Sequence, residues 1–298
     1  MKKLTSEKRF IYMCLIILLV FTAICIAPFL LMFAASITDE QTLLREGYRF
    51  WPSSVNFDTY RYLWAKRETI GRAYIISILV TFVGTTINVV ITSLFGYPLS
   101  RKDFKWRNVF AFIVFFTMLF NGGMTASYII WTRTFHIKNT IWALLLPNYL
   151  MGGMNVLMVR NYYTASIPDS ILEAARIDGA TEMQIYRKIL VPLSKPVMIT
   201  IALFAGMAYW NDWSNGLYYI SEPKLFSINV YLNNLMNNIQ MLKQQSSMTE
   251  GVNLSGLELP SVGVRMAIAM IAVLPILVIF PFIQGQLVKG VVIGGVKG

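Results

Sequence analysis

The chain has 298 residues, 56% of them hydrophobic and only 14% charged, with a mean hydropathy of +0.55. Soluble domains carry about 25% charged residues, so this composition excludes an ordinary water-soluble domain and points to a polytopic membrane protein. The net charge of +11 would suggest nucleic acid in a soluble protein; in a membrane protein lysines and arginines collect in cytoplasmic loops, so lipid and not nucleic acid is the expected surrounding.

No charge lies between Arg9 and Asp39. That run exceeds the ~20 residues needed to cross a bilayer and the roughly 7–15 residues of a signal-peptide core. It is expected to stay as a first transmembrane helix over 10–35, behind a basic cytoplasmic N-terminus, 1–9. Cys14 and Cys25 share this run, and a straight helix cannot bring them together, so no disulfide is expected. Residues 36–70 are mixed in charge and rich in aromatics, among them Trp51 and Trp64, and read as an extracellular loop with its rings at the membrane surface. Five basic residues there are balanced by five acidic ones.

A core transmembrane domain is expected over 71–285. Its second span lies between Arg72 and Arg101. The following segment, Arg101 to Arg107, carries four positive charges in seven residues, a strong cytoplasmic signal in a short loop. A third span lies between Arg107 and Arg133, and a fourth covers Ile141 to Val159. A polar cytoplasmic loop occupies 161–197. The fifth span, from Val197 to Tyr219, contains Asp212. An extracellular loop spans 221–262; within it Leu225 to Leu242 reads as an amphipathic or irregular surface segment and Ser246 to Pro260 as loop. The sixth span lies between Arg265 and Lys289, and a tail occupies 286–298. The expected fold is all-α, six transmembrane helices with both termini cytoplasmic.

The loop 161–197 is the most structured polar stretch. Pro168 suits a first helical turn, and Ser166 with Asp169 forms a weak capping box. Gly179 stands where a helix would stop, because glycine takes the left-handed backbone at little cost. Thr181 and Gln184 then cap a second short helix, which Pro192 and Pro196 would end. Ala174 and Ala175 leave a flat patch on the first helix, a peg that another surface can approach.

Enzymatic motifs are missing. There is no G-x-x-x-x-G-K-[ST] phosphate cradle, no H-E-x-x-H and no G-x-S-x-G. His136 is the sole histidine, and no cysteine–histidine cluster exists to hold a metal.

Glu173-Ala174-Ala175, then Gly179, then Ile189-Leu190-Val191-Pro192 resembles the EAA loop of ABC-importer permeases, with Val191 where leucine is usual. The longer pattern from Ile167-Pro168-Asp169-Ser170 to Pro196 is similar to the carbohydrate branch of that family. Gly96-Tyr97-Pro98-Leu99-Ser100-Arg101 resembles the end of its second core helix, and Trp210-Asn211-Asp212 its W-N-D/E signature. The closing Gly294-Gly295-Val296-Lys297-Gly298 resembles tails in a sub-branch that imports oligosaccharides and polysaccharide fragments, alginate among them. The resemblance implies a type I permease that pairs with a second, similar permease, sits on two ATPase subunits and receives sugar from an extracellular binding protein. It binds no cofactor itself; ATP and magnesium belong to the ATPases. It further implies that Glu173, Ala174, Ala175, Asp178, Gly179, Ile189 and Pro192 couple the chain to an ATPase.

Several residues keep two readings. Glu173 either docks on the ATPase or pairs with Arg176 on its own helix. Arg187 and Lys188 read as a solvated face. Asp212 either lines a sugar path with Trp210, Asn211, Trp213 and Asn155, or serves the structure near an interface, since a charge at mid-bilayer must face protein or water. Asn88, Asn121, Asn148 and Asn155 are first candidates for interhelical hydrogen bonds. An ion-driven transporter acting alone would want ionisable groups in several spans, and only Asp212 qualifies.

Overall fold

A computed structural model describes residues 2–248 and 262–295. Among them every regular element is a helix, and the one strand-like pairing is an isolated bridge between Thr38 and Val55. Most of the expected loop from Ser246 to Pro260, and the closing Val296-Lys297-Gly298, lie outside the described residues. The chain divides into two compact units, Met1–Ile70 with Leu232–Ile276 and Gly71–Tyr231 with Leu277–Gly298.

In the first unit α1 (Lys2–Ser36) contains the expected first span. Its apolar stretch Lys8–Ser36 has 29 residues and none of its most apolar window buried; at ~1.5 Å per residue it is longer than the ~30 Å hydrocarbon layer. Cys14 and Cys25 are free thiols. The helix end is tied down by a 2.8 Å hydrogen bond between the Ser36 and Tyr60 hydroxyls. The segment expected as a loop is partly helical. Asp39 caps α2 (Glu40–Glu46) by accepting from the N–H groups of Gln41 and Thr42, and α3 (Asp58–Ala65) buries Leu63. Trp51 and Trp64 stay exposed.

The second unit is built on α4 (Arg67–Ser100), which has 34 residues and is long and apolar enough to cross a membrane alone. Two expected spans are bent instead of straight. The third consists of α5 (Arg107–Leu119) and α6 (Gly123–Ile129), the latter continued by a wide turn over Ile130–Thr134, with a 113° bend between them. The cause is local: Gly123 has φ +81°, and its N–H donates to Asn121 Oδ1 at 2.8 Å. The fourth span is α7 (Trp142–Leu145), a non-helical passage, and α8 (Gly153–Ser166). It therefore breaks inside the apolar run and ends six residues beyond Arg160.

The polar stretch that follows forms α9 (Asp169–Ile177), α10 (Glu182–Ile185) and α11 (Val191–Leu193), the last two joined by a wide turn over Tyr186–Leu190. The fifth span is α12 (Lys195–Trp210), and α13 (Ser214–Tyr219) follows a break that contains Asp212. The segment expected to be amphipathic or irregular is a helix, α14 (Ile228–Met248). The sixth span, α15 (Val262–Gly295), runs without interruption into the expected tail.

The break between α7 and α8 frees backbone carbonyls in an apolar setting, where an unpaired one is costly. Side chains from three other elements satisfy them. Tyr209 OH donates to the Leu145 carbonyl at 2.8 Å, Asn215 Nδ2 to that of Pro147 at 3.1 Å, and Asn88 Nδ2 to that of Tyr149 at 2.7 Å. Asn148, at φ +67°, donates from Nδ2 to Asn215 Oδ1 at 2.9 Å. Asn88 and Asn148, expected to bond between helices, instead tie the non-helical passage to α4 and α13. Asn121 serves its own turn instead.

Tyr209 reaches Leu145 by lying across Gly84 of α4. A Cβ added at Gly84 would stand 2.5–2.7 Å from the ring, and the ring cannot swing away without losing its hydrogen bond. Gly84→Ala is expected to destabilise the protein by about 1–3 kcal/mol. Gly71→Ala, where a Cβ meets nothing within 4 Å, is expected to be neutral or mildly stabilising, because alanine is the better helix former. Thermal unfolding of the two variants in detergent checks the opposite signs.

Candidate functional site

The stretch from α9 to α12 is shaped by its ends. Pro168 occupies the N-cap of α9 with extended backbone, and no side chain caps the helix. Ser166 is the last residue of α8 and does not form the expected capping box. At the far end the Gly179 N–H donates to the Arg176 carbonyl and the Ala180 N–H to the Ala175 carbonyl, both at 3.0 Å. That pair of bonds closes a helix through a left-handed residue, and Gly179 has φ +81°. The expected capping box of Thr181 and Gln184 is present in both directions. The helical segment runs one residue past Pro192, to Leu193. The chain breaks at Ser194, whose hydroxyl donates to the Leu190 carbonyl at 2.7 Å. Across that break the helical segment Glu182–Leu193 meets α12 at 80°.

α9 has two faces. Leu172 is buried with Tyr163, Ile167, Ile185 and Leu190, and Ala175 packs on the same cluster. Ser170, Glu173, Ala174 and Ile177 are exposed on the other side, at the 3- and 4-residue spacing of one helical face. The alanine pair is therefore split, Ala174 outward and Ala175 inward. Asp178, Gly179 and Pro192 are also exposed, whereas Ile189 packs against the core cluster. The residue that sequence reading missed is Ile177, 86% exposed. Its signal was a large aliphatic side chain four positions after Glu173, on the outward face. Beyond Gly179 the chain leaves open space, with nothing within 4 Å of where a Cβ would stand.

The charges around α9 are paired, but not as the sequence suggested. Arg176 turns away from Glu173; its Nε donates to Glu182 Oε1 at 2.7 Å and its guanidinium lies 3.1 Å from Asp103 Oδ2. Asp169, in the first turn, is held by Lys102 Nζ at 2.8 Å. The Tyr97 hydroxyl donates to the other oxygen of Glu182. The hydrogen bond from Lys102 lowers the Asp169 pKa from its ordinary value, and those from Arg176 and then Tyr97 lower that of Glu182. Arg187 and Lys188 are exposed, as expected.

The second group of candidates does not form one site. Asp212 is 6% exposed. Its Oδ1 accepts from the N–H groups of Ser214 and Asn215, both at 3.1 Å, and from the hydroxyls of Ser214 at 3.0 Å and Tyr149 at 3.4 Å. It is thus the carboxylate that starts α13. Trp210 is buried beside Tyr74, ring centroids 6.5 Å apart. Trp213 and Asn211 are exposed and Asn155 is half-buried on α8. Among the described residues no group of histidine, cysteine, aspartate or glutamate could hold a metal ion.

With this geometry in hand, the chain can be set beside known proteins. Residues 89–293 match the family described as binding-protein-dependent transport system inner membrane component. The chain is 34% identical over 281 residues to the polygalacturonan/rhamnogalacturonan transport system permease protein YtcP of Bacillus subtilis (strain 168), covering 94% of this chain and 96% of that one. It is 34% identical over 276 residues to Protein LplC of the same organism, covering 93% and 90%. Among solved structures it resembles a bacterial ABC transporter involved in the import of the acidic polysaccharide alginate, with TM-score 0.77 and 25% identity over 94% of this chain and 97% of that one.

Two outcomes follow from the side-chain geometry. Asp212→Asn retains an acceptor for the α13 N–H groups and is expected to be nearly neutral, whereas Asp212→Leu removes the cap and should cost about 0.5–2 kcal/mol in thermal unfolding. The second concerns acid. A carboxylate whose folded pKa is lowered contributes stability above its unfolded value and loses it as pH falls through the lowered one. The difference in melting temperature between wild type and Asp169→Asn should therefore be full at neutral pH and vanish well below the ordinary carboxylate pKa of about 4.

Proposed function

Because the chain belongs to the family of binding-protein-dependent transport system inner membrane components, we propose that it is the permease subunit of an ATP-driven importer of oligosaccharides or polysaccharide fragments. The observation that carries the coupling half of this reading is the exposed face of α9, with Glu173, Ala174 and Ile177 in a row and Gly179 ending the helix cleanly behind them. An apolar side chain as exposed as Ile177, beside an alanine and an acid, suits a groove on another protein. In this reading the groove belongs to an ATPase subunit on the cytoplasmic side, where both termini of the chain also lie. ATP and magnesium are handled there, and this chain transmits the motion. A second permease completes the path, and an extracellular binding protein delivers the sugar.

The substrate half rests on the relatives. YtcP is described for polygalacturonan and rhamnogalacturonan, the solved neighbour for acidic alginate, and a more distant relative, AraQ, for arabinooligosaccharides. The rival reading, an ion-driven transporter acting alone, needed Asp212 as a titrating group in the path. The hydrogen bonds that commit Asp212 to the start of α13 weigh against it.

Co-purification from mild detergent is expected to recover an ATPase and a second permease with the chain. Uptake is then measured with labelled oligogalacturonides, alginate oligosaccharides and arabinooligosaccharides as probes. Ala174→Trp places bulk on an exposed helical position without straining the chain, and should lower uptake and ATPase retention about tenfold, equivalent to ~1.4 kcal/mol, with normal amounts in the membrane. Glu173→Lys should act in the same direction. Full uptake and full ATPase retention in both variants would overturn the docking role.

A further inference from the structure

α12 follows the docking segment directly in sequence, yet a wide turn and the 80° break at Ser194 separate the two. α9 and α10 share a buried apolar cluster with Val197 and Ile201 of α12, but their ion pairs reach an element far away in sequence, the loop after α4, and their side-chain hydrogen bonds reach the end of α4. Lys102 Nζ holds Asp169 at 2.8 Å, at the start of α9. Asp103 Oδ2 holds Arg176 at 3.1 Å, at its end. Tyr97 and Arg176 hold the two oxygens of Glu182 on α10. Deeper in, the Ser93 hydroxyl bonds both Tyr186 OH at 2.7 Å and Tyr163 OH at 2.8 Å. α9 is therefore gripped at both ends by one short loop, and α10 with its following turn is fastened to α4 at two further points.

Arg101 adds an asymmetry. Its side chain is only 10% exposed, its Nε donates to Asp103 Oδ1 at 3.3 Å, and its Nη1 faces Asp169 Oδ1 at 3.7 Å with no hydrogen-bond partner. A buried guanidinium N–H without a partner is costly, so the loop gains by keeping the Asp169 end of α9 close. One exposed ion pair contributes little. A network that closes on both ends of a helix, with a buried arginine behind it, constrains position as well as energy.

We propose that the Arg101–Asp103 loop is a clamp that makes α9 and α4 move as one body, so that force arriving at α9 is delivered to α4 across this loop as well as to α12 along the chain. Asp103, Asp169 and Arg176 are positioning residues in this scheme. The proposal rests on the reading of α9 as the ATPase-docking helix, and it adds the route by which the push enters the spans.

The test measures rigidity directly. In a chain with Cys14 and Cys25 replaced by serine, spin labels are placed at Ile171, an exposed position of α9 beside the Glu173–Ile177 row, and at Val90, an exposed position of α4. Their distance distribution is recorded in the purified complex without nucleotide and after trapping with MgATP and vanadate. The unaltered clamp should give one narrow distribution in both states. Asp169→Asn combined with Arg176→Gln should broaden or shift it in both, and should lower oligosaccharide uptake per ATP roughly fivefold, the low end of usual inter-site coupling. Asp169→Glu with native Arg176 should restore the narrow distribution, which a general folding defect would not allow. A wild-type distance that changes on trapping, or a double variant indistinguishable from wild type, overturns the clamp. If no ATPase accompanies the chain, the docking reading falls, while the nucleotide-free distances still judge the clamp by themselves.

Discussion

The second unit depends on one constraint: apolar surroundings offer no water to a backbone group that leaves its helix. The chain leaves helix between Leu145 and Gly153, inside a run that its composition marks as a span. Three carbonyls in that passage are bonded by Tyr209, Asn215 and Asn88, drawn from α12, α13 and α4. Much else follows from supplying those donors. Tyr209 needs Gly84 beneath it to come close enough. Asn215 needs the first turn of α13 in place, and that turn is started by Asp212. A charge that looked functional because it sits in an apolar run is therefore part of the framework that lets another span break.

The distinction between breaking and spanning also explains which parts of the fold were legible in sequence. Uninterrupted apolar runs give continuous helices, and α1, α4 and α15 each cover an expected span and run past it. The positions of breaks were not legible. The 113° bend after α5 is set by Gly123 with the help of Asn121, and the passage before α8 by Asn148 in a left-handed conformation. Pro147 and the pairs Gly122-Gly123 and Gly152-Gly153 stand at these places, but hydropathy, from which the spans are read, does not register a break where the flanking residues stay apolar. Polar stretches behaved conversely. Segment 36–70 lacked the length and periodicity that identify a helix; α2 forms there through the Asp39 cap and the burial of Leu43, and α3 through the burial of Leu63.

At the candidate docking site, the signals written in local chemistry were readable: the stop at Gly179 and the capping box of Thr181 and Gln184 are both present. The signals written in tertiary contact were not. A helical wheel offers Arg176 to Glu173, but the side chain has better partners 73 residues away in Asp103 and just beyond the turn in Glu182. Alanine at 174 and at 175 looks equivalent in sequence, and only the packing of Leu172 decides that 175 faces inward. This division leaves Glu173 exposed, with Arg176 committed elsewhere.

The two ends of α4 give the molecule its mechanical sense. Near one end Ser77 accepts the N–H of Ile228 at 2.9 Å, and near the other Tyr97 and the loop after it hold α9 and α10. About 30 Å of helix separates Ser77 from Tyr97 at ~1.5 Å per residue, close to the thickness of a hydrocarbon layer. A straight helix resists compression along its axis because every turn is hydrogen-bonded to the next, whereas the bent third and fourth spans and the break at Ser194 offer points of yield. Among the helices of its unit, α4 is the unbroken one that touches α9's neighbour α10 at one end and the entry to α14 at the other. A displacement applied at α9 therefore has a continuous rigid path along α4.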